Sequence, residues 1–334
     1  MSESSSAPWI ARQVSHLLQQ RGHAWLLHGP SGLGHFDLAL SLARAWLCEQ
    51  AGPQGACGHC ASCHAIEVHT HADLLVLMPE TTLLDLGWPL SSDAQDKIDK
   101  KERKPSKEIR VDALREAVEF CQRTDARGRG KVVLVYPAER MNAIAANTLL
   151  KTLEEPAGNV RFVLACENAQ LLLPTIRSRC LSYTLQWPNS DEAVAWLREQ
   201  GLSSEDAPRL LALMGNRPED ALASARQGRN TSWWRALPKA LSQGQVQHLA
   251  DLGPSQQIQA IMKVAHDMVL VQTQAQPRYF DVSELPSTSA SLRQLSDWYK
   301  RLQDSLRTSE HPFNAGLMLE ALVSDAQQTL NAKP

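Results

Sequence analysis

The feature that most constrains the fold is a glycine-rich turn between two apolar segments near the start of the chain. Residues 24–28 (Ala-Trp-Leu-Leu-His) are followed by glycines at positions 29, 32 and 34, and an apolar, helix-compatible segment begins near residue 36. A strand, a glycine loop and a helix in this order form a P-loop, whose backbone amides bind phosphate at the helix N-terminus. The P-loop pattern is G-x-x-x-x-G-K-[ST], and Gly29 and Gly34 occupy its two glycine positions, with Gly32 between them.

The two residues that follow this turn lack the chemistry of a nucleotide site. His35 and Phe36 stand where lysine would reach the β- and γ-phosphates and where Ser or Thr would bind magnesium. A neutral imidazole and a phenyl ring do neither. Two interpretations follow: the turn belongs to a parallel sheet that never bound a nucleotide, or the fold is that of a P-loop protein whose ATPase site has been lost.

A second segment favours the loss of an ATPase site. Residues 131–136 (Lys-Val-Val-Leu-Val-Tyr) form a continuous apolar run, which is typical of a buried parallel strand. In an active P-loop ATPase this strand ends in acidic residues that organise magnesium and water. Here it ends in Tyr136-Pro-Ala-Glu139. Two separate parts of one site are therefore missing together.

Length and charge limit the class of protein. A chain of 334 residues is long enough for two or three domains, and its net charge of -2 gives no overall attraction to DNA or to anionic membranes. No apolar run approaches the roughly 20 residues of a membrane span, and the first residues lack the pattern of a signal peptide. We therefore expect a cytoplasmic protein.

Four of the seven cysteines lie close together in the order Cys48-x8-Cys57-x2-Cys60-x2-Cys63. In a chain without an export signal, clustered cysteines favour metal over disulfides, and four thiolates match a closed, structural zinc site. The alternatives are reduced surface thiols, or a histidine in place of one cysteine (His59, His64, His69 or His71). Cys48 has the longest spacing from the others. Cys121, Cys166 and Cys180 lie in apolar or helical contexts and are predicted to pack in the core.

Periodicity predicts the other elements of the first half of the chain. Residues 79–107 show no clear period, and their basic run at 97–107 is predicted to be a solvated loop rather than a DNA contact. Asp112 is the predicted N-cap of the helix that follows. The predicted helices are 9–21, 36–48, 109–121 and 141–155, and the predicted strands are 73–78, 131–136, 161–166 and 181–185.

Two further motifs are specific to one family. Residues 147–156 (Asn-Thr-Leu-Leu-Lys-Thr-Leu-Glu-Glu-Pro) and 175–180 (Thr-Ile-Arg-Ser-Arg-Cys) resemble those of the AAA+ clamp-loader family of bacterial DNA polymerase III. The spacing of the four cysteines belongs to the same resemblance. ATP-hydrolysing members keep the lysine and the acidic pair, so the departures at His35, Phe36 and residues 136–139 resemble the member that does not hydrolyse ATP.

This resemblance implies a role in a ring-like hetero-pentamer that contains clamp-loader ATPase subunits and a clamp-opening subunit. Arg179 would be an arginine finger that reaches the γ-phosphate held by a neighbouring subunit, with Ser178 and Cys180 fixing its loop. The chain would be a non-hydrolysing stator that helps load the sliding clamp onto primed DNA. The isolated chain would then have no ATPase activity, although the whole polymerase holoenzyme is a nucleotidyltransferase. Arg177 is the nearest alternative to Arg179.

The resemblance also implies three domains: an AAA+ α/β domain at 1–187 with the zinc module at about 48–63, a helical lid at 188–229, and an all-α collar at 230–334 that holds the pentamer together. In the lid, Glu219 stands where active relatives carry a sensor arginine, and Arg217 lies two residues earlier. Two apolar stripes at helical spacing support the helical collar. Their members are Ile258, Ile261, Met262, Ala265, Met268 and Val269, and Leu317, Leu322, Val323, Ala326 and Leu330.

Two other functions compete with this one. The chain could be an active clamp-loader-type ATPase with an atypical nucleotide site, which tight magnesium-dependent ATP binding would reveal. It could instead be a zinc-dependent DNA-binding module, but the near-neutral charge and the closed four-thiolate pattern argue against that function.

Overall fold

The computed structural model describes residues 7–309 and 314–332. The chain divides into two compact units, residues 1–192 and 193–334. No helix in the described ranges is long and apolar enough to cross a membrane. The division into an α/β domain, a lid and a collar at residues 187 and 229 stays a prediction.

The first unit is an α/β domain built on a five-stranded sheet. The strands are β1 (Ala24–His28), β2 (Leu74–Leu77), β3 (Lys131–Val135), β4 (Val160–Cys166) and β5 (Leu181–Thr184). The helices are α1 (Pro8–Leu18), α2 (His35–Leu47), α3 (Ala61–Glu67), α4 (Glu80–Asp85), α5 (Ser92–Asp99), α6 (Val111–Gln122), α7 (Ala143–Glu154) and α8 (Pro174–Arg177).

All neighbouring strands of the sheet are parallel, in the order β2-β3-β4-β1-β5. Leu26 of β1 lies opposite Leu164 of β4 and Ser182 of β5. Parallel strands need crossover connections, so helices cover both faces. The central strands β3 and β4 are largely apolar and buried, whereas the edge strand β5 (Leu-Ser-Tyr-Thr) is mostly exposed. The parallel sheet predicted from the apolar runs is confirmed.

Each face of the sheet packs on a different set of helices. On one face, Val133, Val135 and Phe162 pack with residues of α6 and α7. On the other face, Val132 packs with Ala43 and Leu47 of α2 and with Ile66 of α3. Successive residues of β3 therefore serve opposite layers, as the alternation of side chains along a strand requires.

Two sequence predictions in this unit need correction. The basic run 97–107 was predicted as a solvated loop, but α5 extends to Asp99, so only residues 100–107 lack helix and strand. Residues 79–107, which show no clear period, also contain α4, and the segment is held together by Glu80, which is 8% exposed. The Glu80 carboxylate accepts hydrogen bonds from Arg103 and from the backbone N–H of Ser106 (2.8 Å). Asp112 is not an N-cap: α6 begins at Val111 after Arg110, which leaves Asp112 in the first turn.

The chain continues through α9 (Ser190–Glu199), and the second unit is helical throughout its described residues. Its helices after α9 are α10 (Asp206–Leu213), α11 (Pro218–Arg226), α12 (Thr231–Ser242), α13 (Pro254–Gln272), α14 (Leu292–Arg307) and α15 (Ala315–Leu330). α13 packs on α14 and α15, and α12 packs on α15.

The two apolar stripes in this unit are only partly buried. Four members of the first stripe are buried (Ile258, Ile261, Ala265 and Met268), while Met262 and Val269 are partly exposed. In the second stripe Leu317 is 64% exposed, because it lies in the first turn of α15, whereas the four later members are buried. Leu317 is therefore not a core residue of this unit.

Candidate functional site

The glycine-rich turn lies at the carboxyl end of β1, between the ends of β4 and β5. Gly34 caps α2 with φ 91° and ψ 41°, a left-handed conformation in which a side chain would be strained. Leu33 is fully buried, and its carbonyl accepts a hydrogen bond from Trp9 Nε1 at 3.2 Å. The turn thus keeps a fixed backbone between α1 and α2.

His35 points into this turn rather than out of it. The side chain is 3% exposed, and its Nε2 lies 3.7 Å from the position that a Cβ on Gly29 would occupy. Burial lowers the pKa of His35 to about 4, and Nε2 is buried without a hydrogen-bond partner among the described residues. The imidazole is therefore neutral at pH 7 and carries no charge that could attract phosphate.

Aromatic rings surround the next position. The ring of Phe36 lies 5.5 Å from that of Tyr136, and Trp88 meets Phe36 edge to face at 6.1 Å. Trp88 also stacks on His69 at 3.9 Å. We call Phe36, His69, Trp88 and Tyr136 the aromatic cluster. It joins the first turn of α2, the end of β3 and the segment after α4.

The acidic residue nearest the end of β3 already has a backbone partner. Glu139 Oε1 accepts a hydrogen bond from the N–H of Glu167 at 2.9 Å, which ties the turn after β3 to the end of β4. Tyr136 follows the last residue of β3, and its ring lies 5.5 Å from the ring of Phe36, which follows the glycine-rich turn. Neither residue resembles the acidic pair that holds magnesium in an active P-loop site.

The four clustered cysteines converge at the end of α2 and the start of α3. The Sγ atoms of Cys48, Cys57, Cys60 and Cys63 all lie within 4.8 Å of one another. Cys48 Sγ is 3.5 Å from Cys57 Sγ and 3.8 Å from Cys60 Sγ. Zinc bonds of about 2.3 Å in a tetrahedron put sulfur atoms roughly 3.8 Å apart. This group could hold a metal ion.

Backbone amides support sulfur atoms of this cluster. Cys48 Sγ accepts from the N–H of Gln50 (3.4 Å) and of Cys57 (3.3 Å), and Cys60 Sγ accepts from the N–H of Cys63 (3.4 Å). Burial raises the pKa of Cys60, but backbone hydrogen bonds from Cys63 and Glu49 outweigh it and lower the pKa to about 6. These donors favour the thiolate form, which is the form that binds metal.

A polar network attaches the cysteine cluster to the sheet. Ser62 donates to Glu49 (3.1 Å), Arg127 donates to the same carboxylate (2.8 Å), and His71 Nε2 lies 3.2 Å from Ser62 Oγ. The fully buried Asp73 accepts from the backbone N–H groups of residues 126 (2.8 Å) and 127 (3.1 Å). None of the four histidines considered as alternative ligands belongs to the metal-competent group of the described residues.

The loop of the predicted finger follows α8. Arg179 donates from Nε (3.1 Å) and Nη2 (2.9 Å) to one oxygen of Glu154, and from Nη1 to the carbonyl of Thr175 (3.0 Å). Ser178 Oγ donates to the same carbonyl at 3.2 Å. Cys180 packs on the core, and burial raises its pKa to about 12.

The other residues predicted for the nucleotide site are accounted for separately. Arg177 is bonded to Gln170 at 2.6 Å, so it is turned towards its own chain. In the second unit, Arg217 donates to the carbonyl of Met214 (2.8 Å) and pairs with Asp220 (3.0 Å).

The three other cysteines do not join the cysteine cluster: Cys121 and Cys166 are buried, and Cys180 is partly buried.

Sequence reasoning missed three residues of these sites. Trp88 and His69 lie in segments without periodicity, so no pattern placed them beside Phe36. Glu154 is part of a quoted motif, but its contact with Arg179 joins residues that are 25 positions apart. The tryptophan in the aperiodic segment 79–107 was the one available signal.

The fold and the turn define an α/β protein with a P-loop-like turn that lacks the catalytic lysine and hydroxyl. The family model described as DNA polymerase III, delta subunit, matches residues 10–189, which is more than half of the chain. The chain belongs to this family.

Curated relatives agree with the family. The DNA polymerase III subunit delta' of Pseudomonas aeruginosa is 38% identical over 226 residues, which are 66% of this chain and 62% of that protein. The subunit delta' of Escherichia coli is 34% identical over 241 residues, 70% of this chain and 65% of that protein. The chain thus matches slightly less than two thirds of the length of these relatives. The E. coli subunit tau is 31% identical over 207 residues, 61% of this chain and 28% of that protein.

The buried imidazole generates a prediction about acid stability. The pKa of His35 is lowered from 6.5 to about 4 on folding, so between these values the unfolded chain binds the extra proton and stability falls as pH falls. We expect His35 to remove about 2 kcal/mol of stability between pH 7 and pH 5. The measurement is urea unfolding of the wild type and of His35→Gln at both pH values. An equal loss in both proteins would contradict the prediction, because the comparison cancels all other titrating groups.

Proposed function

We propose that this chain is a non-hydrolysing subunit of the DNA polymerase III clamp loader and that it supplies Arg179 to the ATP site of a neighbouring subunit. The proposal rests on the structure of the glycine-rich turn. Its backbone is retained, while the neutral His35 fills its interior and the aromatic cluster lies where magnesium chemistry would be needed.

The physical argument is one of charge and space. To bind and hydrolyse a nucleoside triphosphate with magnesium, a P-loop site needs a cation and a hydroxyl at the start of the helix and a carboxylate after β3. Lysine, hydroxyl and carboxylate are replaced by His35, Phe36 and Tyr136. Three polar or charged groups are therefore replaced by one neutral ring and two aromatic rings, and hydrolysis by this chain is not expected.

The proposal that Arg179 is an arginine finger rests on other observations. The backbone N–H of Arg179 donates to the carbonyl of Ile176 (3.1 Å), its Nη1 donates to the carbonyl of Thr175, and its side chain is 29% exposed. A guanidinium is charged at every physiological pH and matches the geometry of a phosphate. Relatives of this chain are named as DNA polymerase III subunits delta' and tau, which supports assembly of this chain with other subunits of that polymerase.

The rest of the proposal follows the family. We infer a hetero-pentamer in which residues 188–229 form a lid and residues 230–334 form the collar. ATPase subunits and a clamp-opening subunit would be the partners, and the sliding clamp and primed DNA would be reached through the complex. In this arrangement the chain acts as a stator against which the clamp is opened. We further infer a cytoplasmic location.

We also infer that the metal held by Cys48, Cys57, Cys60 and Cys63 is structural zinc. The support is the donor set, since four thiolates leave no open position for catalysis. When bound, zinc would join the end of α2 to the start of α3. The network of Glu49, Ser62 and Asp73 would then connect this module to the sheet.

The first test concerns ATP. Isothermal titration of the purified chain should show no magnesium-dependent ATP binding. The variant His35→Lys/Phe36→Thr restores the P-loop residues but not the acid after β3, so binding should stay weak and depend only slightly on magnesium. Adding Tyr136→Asp should make it magnesium-dependent. Tight magnesium-dependent binding by the wild type would contradict the proposal.

The second test concerns zinc. Cys60→Ala should lower the zinc content, measured by mass spectrometry of metals after purification without chelators, from about one ion per chain to well below it. The thermal stability of the first unit should fall as well. Cys121→Ala is the matched control, because Cys121 is buried but outside the cluster. Full zinc occupancy in Cys60→Ala would refute the ligand set.

The third test concerns the finger. In a reconstituted clamp loader, Arg179→Ala should assemble normally but load the clamp more slowly, on the order of tenfold or more, because a trans-acting arginine stabilises transition-state charge. Loading is measured on primed DNA with a labelled clamp. Arg177→Ala is the control. If Arg179→Ala loads at the normal rate, or if only Arg177→Ala is slow, the assignment of Arg179 is wrong.

A further inference from the structure

One ion pair fixes the predicted finger against its own chain. Arg179 follows α8, and Glu154 is the last residue of α7. A single oxygen of Glu154 accepts from both Nε and Nη2 of Arg179, at 3.1 and 2.9 Å. The Arg179 side chain is 29% exposed and that of Glu154 is 59% exposed, so the pair lies at the surface.

The ion pair with Glu154 uses only some of the N–H groups of the Arg179 guanidinium. A guanidinium has five N–H groups in a rigid planar fork. Glu154 takes the side edge formed by Nε and Nη2, and the carbonyl of Thr175 takes one N–H of Nη1 at 3.0 Å. Among the described residues, one N–H of Nη1 and one N–H of Nη2 have no acceptor. Two oxygens of a phosphate can bind N–H groups of the two terminal nitrogens side by side.

Glu154 therefore has a geometry that orients the arginine without blocking it. We propose that Glu154 is a positioning residue for Arg179, which holds the guanidinium so that its end edge faces a γ-phosphate supplied by a neighbouring subunit. This inference rests on the proposed function. Glu154 touches neither substrate nor metal, and it acts through Arg179 alone.

The exposure of the Glu154–Arg179 pair determines how much the loss of Glu154 should change the orientation of Arg179. A free arginine side chain samples many rotamers, and an exposed ion pair restricts this sampling modestly. Exposed pairs of this kind bias an equilibrium by roughly two- to fivefold. Loss of Glu154 should therefore reduce the fraction of chains with a correctly directed finger by a similar factor, which is smaller than the effect of removing Arg179.

The experiment uses the reconstituted clamp loader with primed DNA and measures kcat and KM for ATP. Glu154→Ala should lower kcat about two- to fivefold with little change in KM, because the finger acts in the transition state while the neighbour binds the ATP. Glu154→Gln should retain most of the rate, since its amide oxygen can accept the same two N–H groups. Glu155→Ala, a change at the next exposed glutamate, is the matched control and should have no effect.

A double variant separates the possible failures. In the Arg179→Ala background, Glu154→Ala should change nothing further. If Arg179→Ala itself leaves the rate unchanged, the proposed function fails. If Arg179→Ala slows turnover while Glu154→Ala does not, or if Glu154→Ala raises kcat by releasing the arginine, the positioning role is refuted and the proposed function stands.

Discussion

Parallel pairing of β1 with β4 is the constraint on which the first unit depends. Parallel strands leave the sheet at the same edge, so the segments after β1, β3 and β4 must converge there. This convergence brings Phe36 onto Tyr136, and it places Glu139 beside the start of the segment after β4. The edge is where a ligand would bind in such a sheet, and here side chains of the protein occupy it.

The glycine turn shows that backbone geometry and chemistry are separable. Gly34 still adopts a left-handed conformation at the start of α2, and Leu33 is still anchored by Trp9. A buried lysine in this turn would need an anion to offset its desolvation, whereas a neutral imidazole does not. The neutral His35 therefore fills the interior of the turn without burying a charge. The turn then serves to connect β1 to α2.

Much of this arrangement could be predicted from the sequence, for reasons that are local. Apolar runs such as Lys131–Val135 gave the strands, and the spacing of the cysteines gave a cluster that the fold brings together. The two helices of residues 79–107 were not predicted because each is at most eight residues long, and the segment is closed by a long-range pair between Glu80 and Arg103. Contacts between distant segments, such as Trp88 on Phe36, leave no periodic trace.

Arg179 and the glycine-rich turn are positioned by different elements of the first unit. Arg179 is placed by α8 and by Glu154 at the end of α7, whose buried face packs on the core through Leu149 and Leu153. The turn is placed by β1, α1 and α2. Changes at His35 or Phe36 therefore do not disturb the contacts that hold Arg179. The proposed function requires such independence, because in it the chain does not hydrolyse ATP while Arg179 is presented to the ATP site of another subunit.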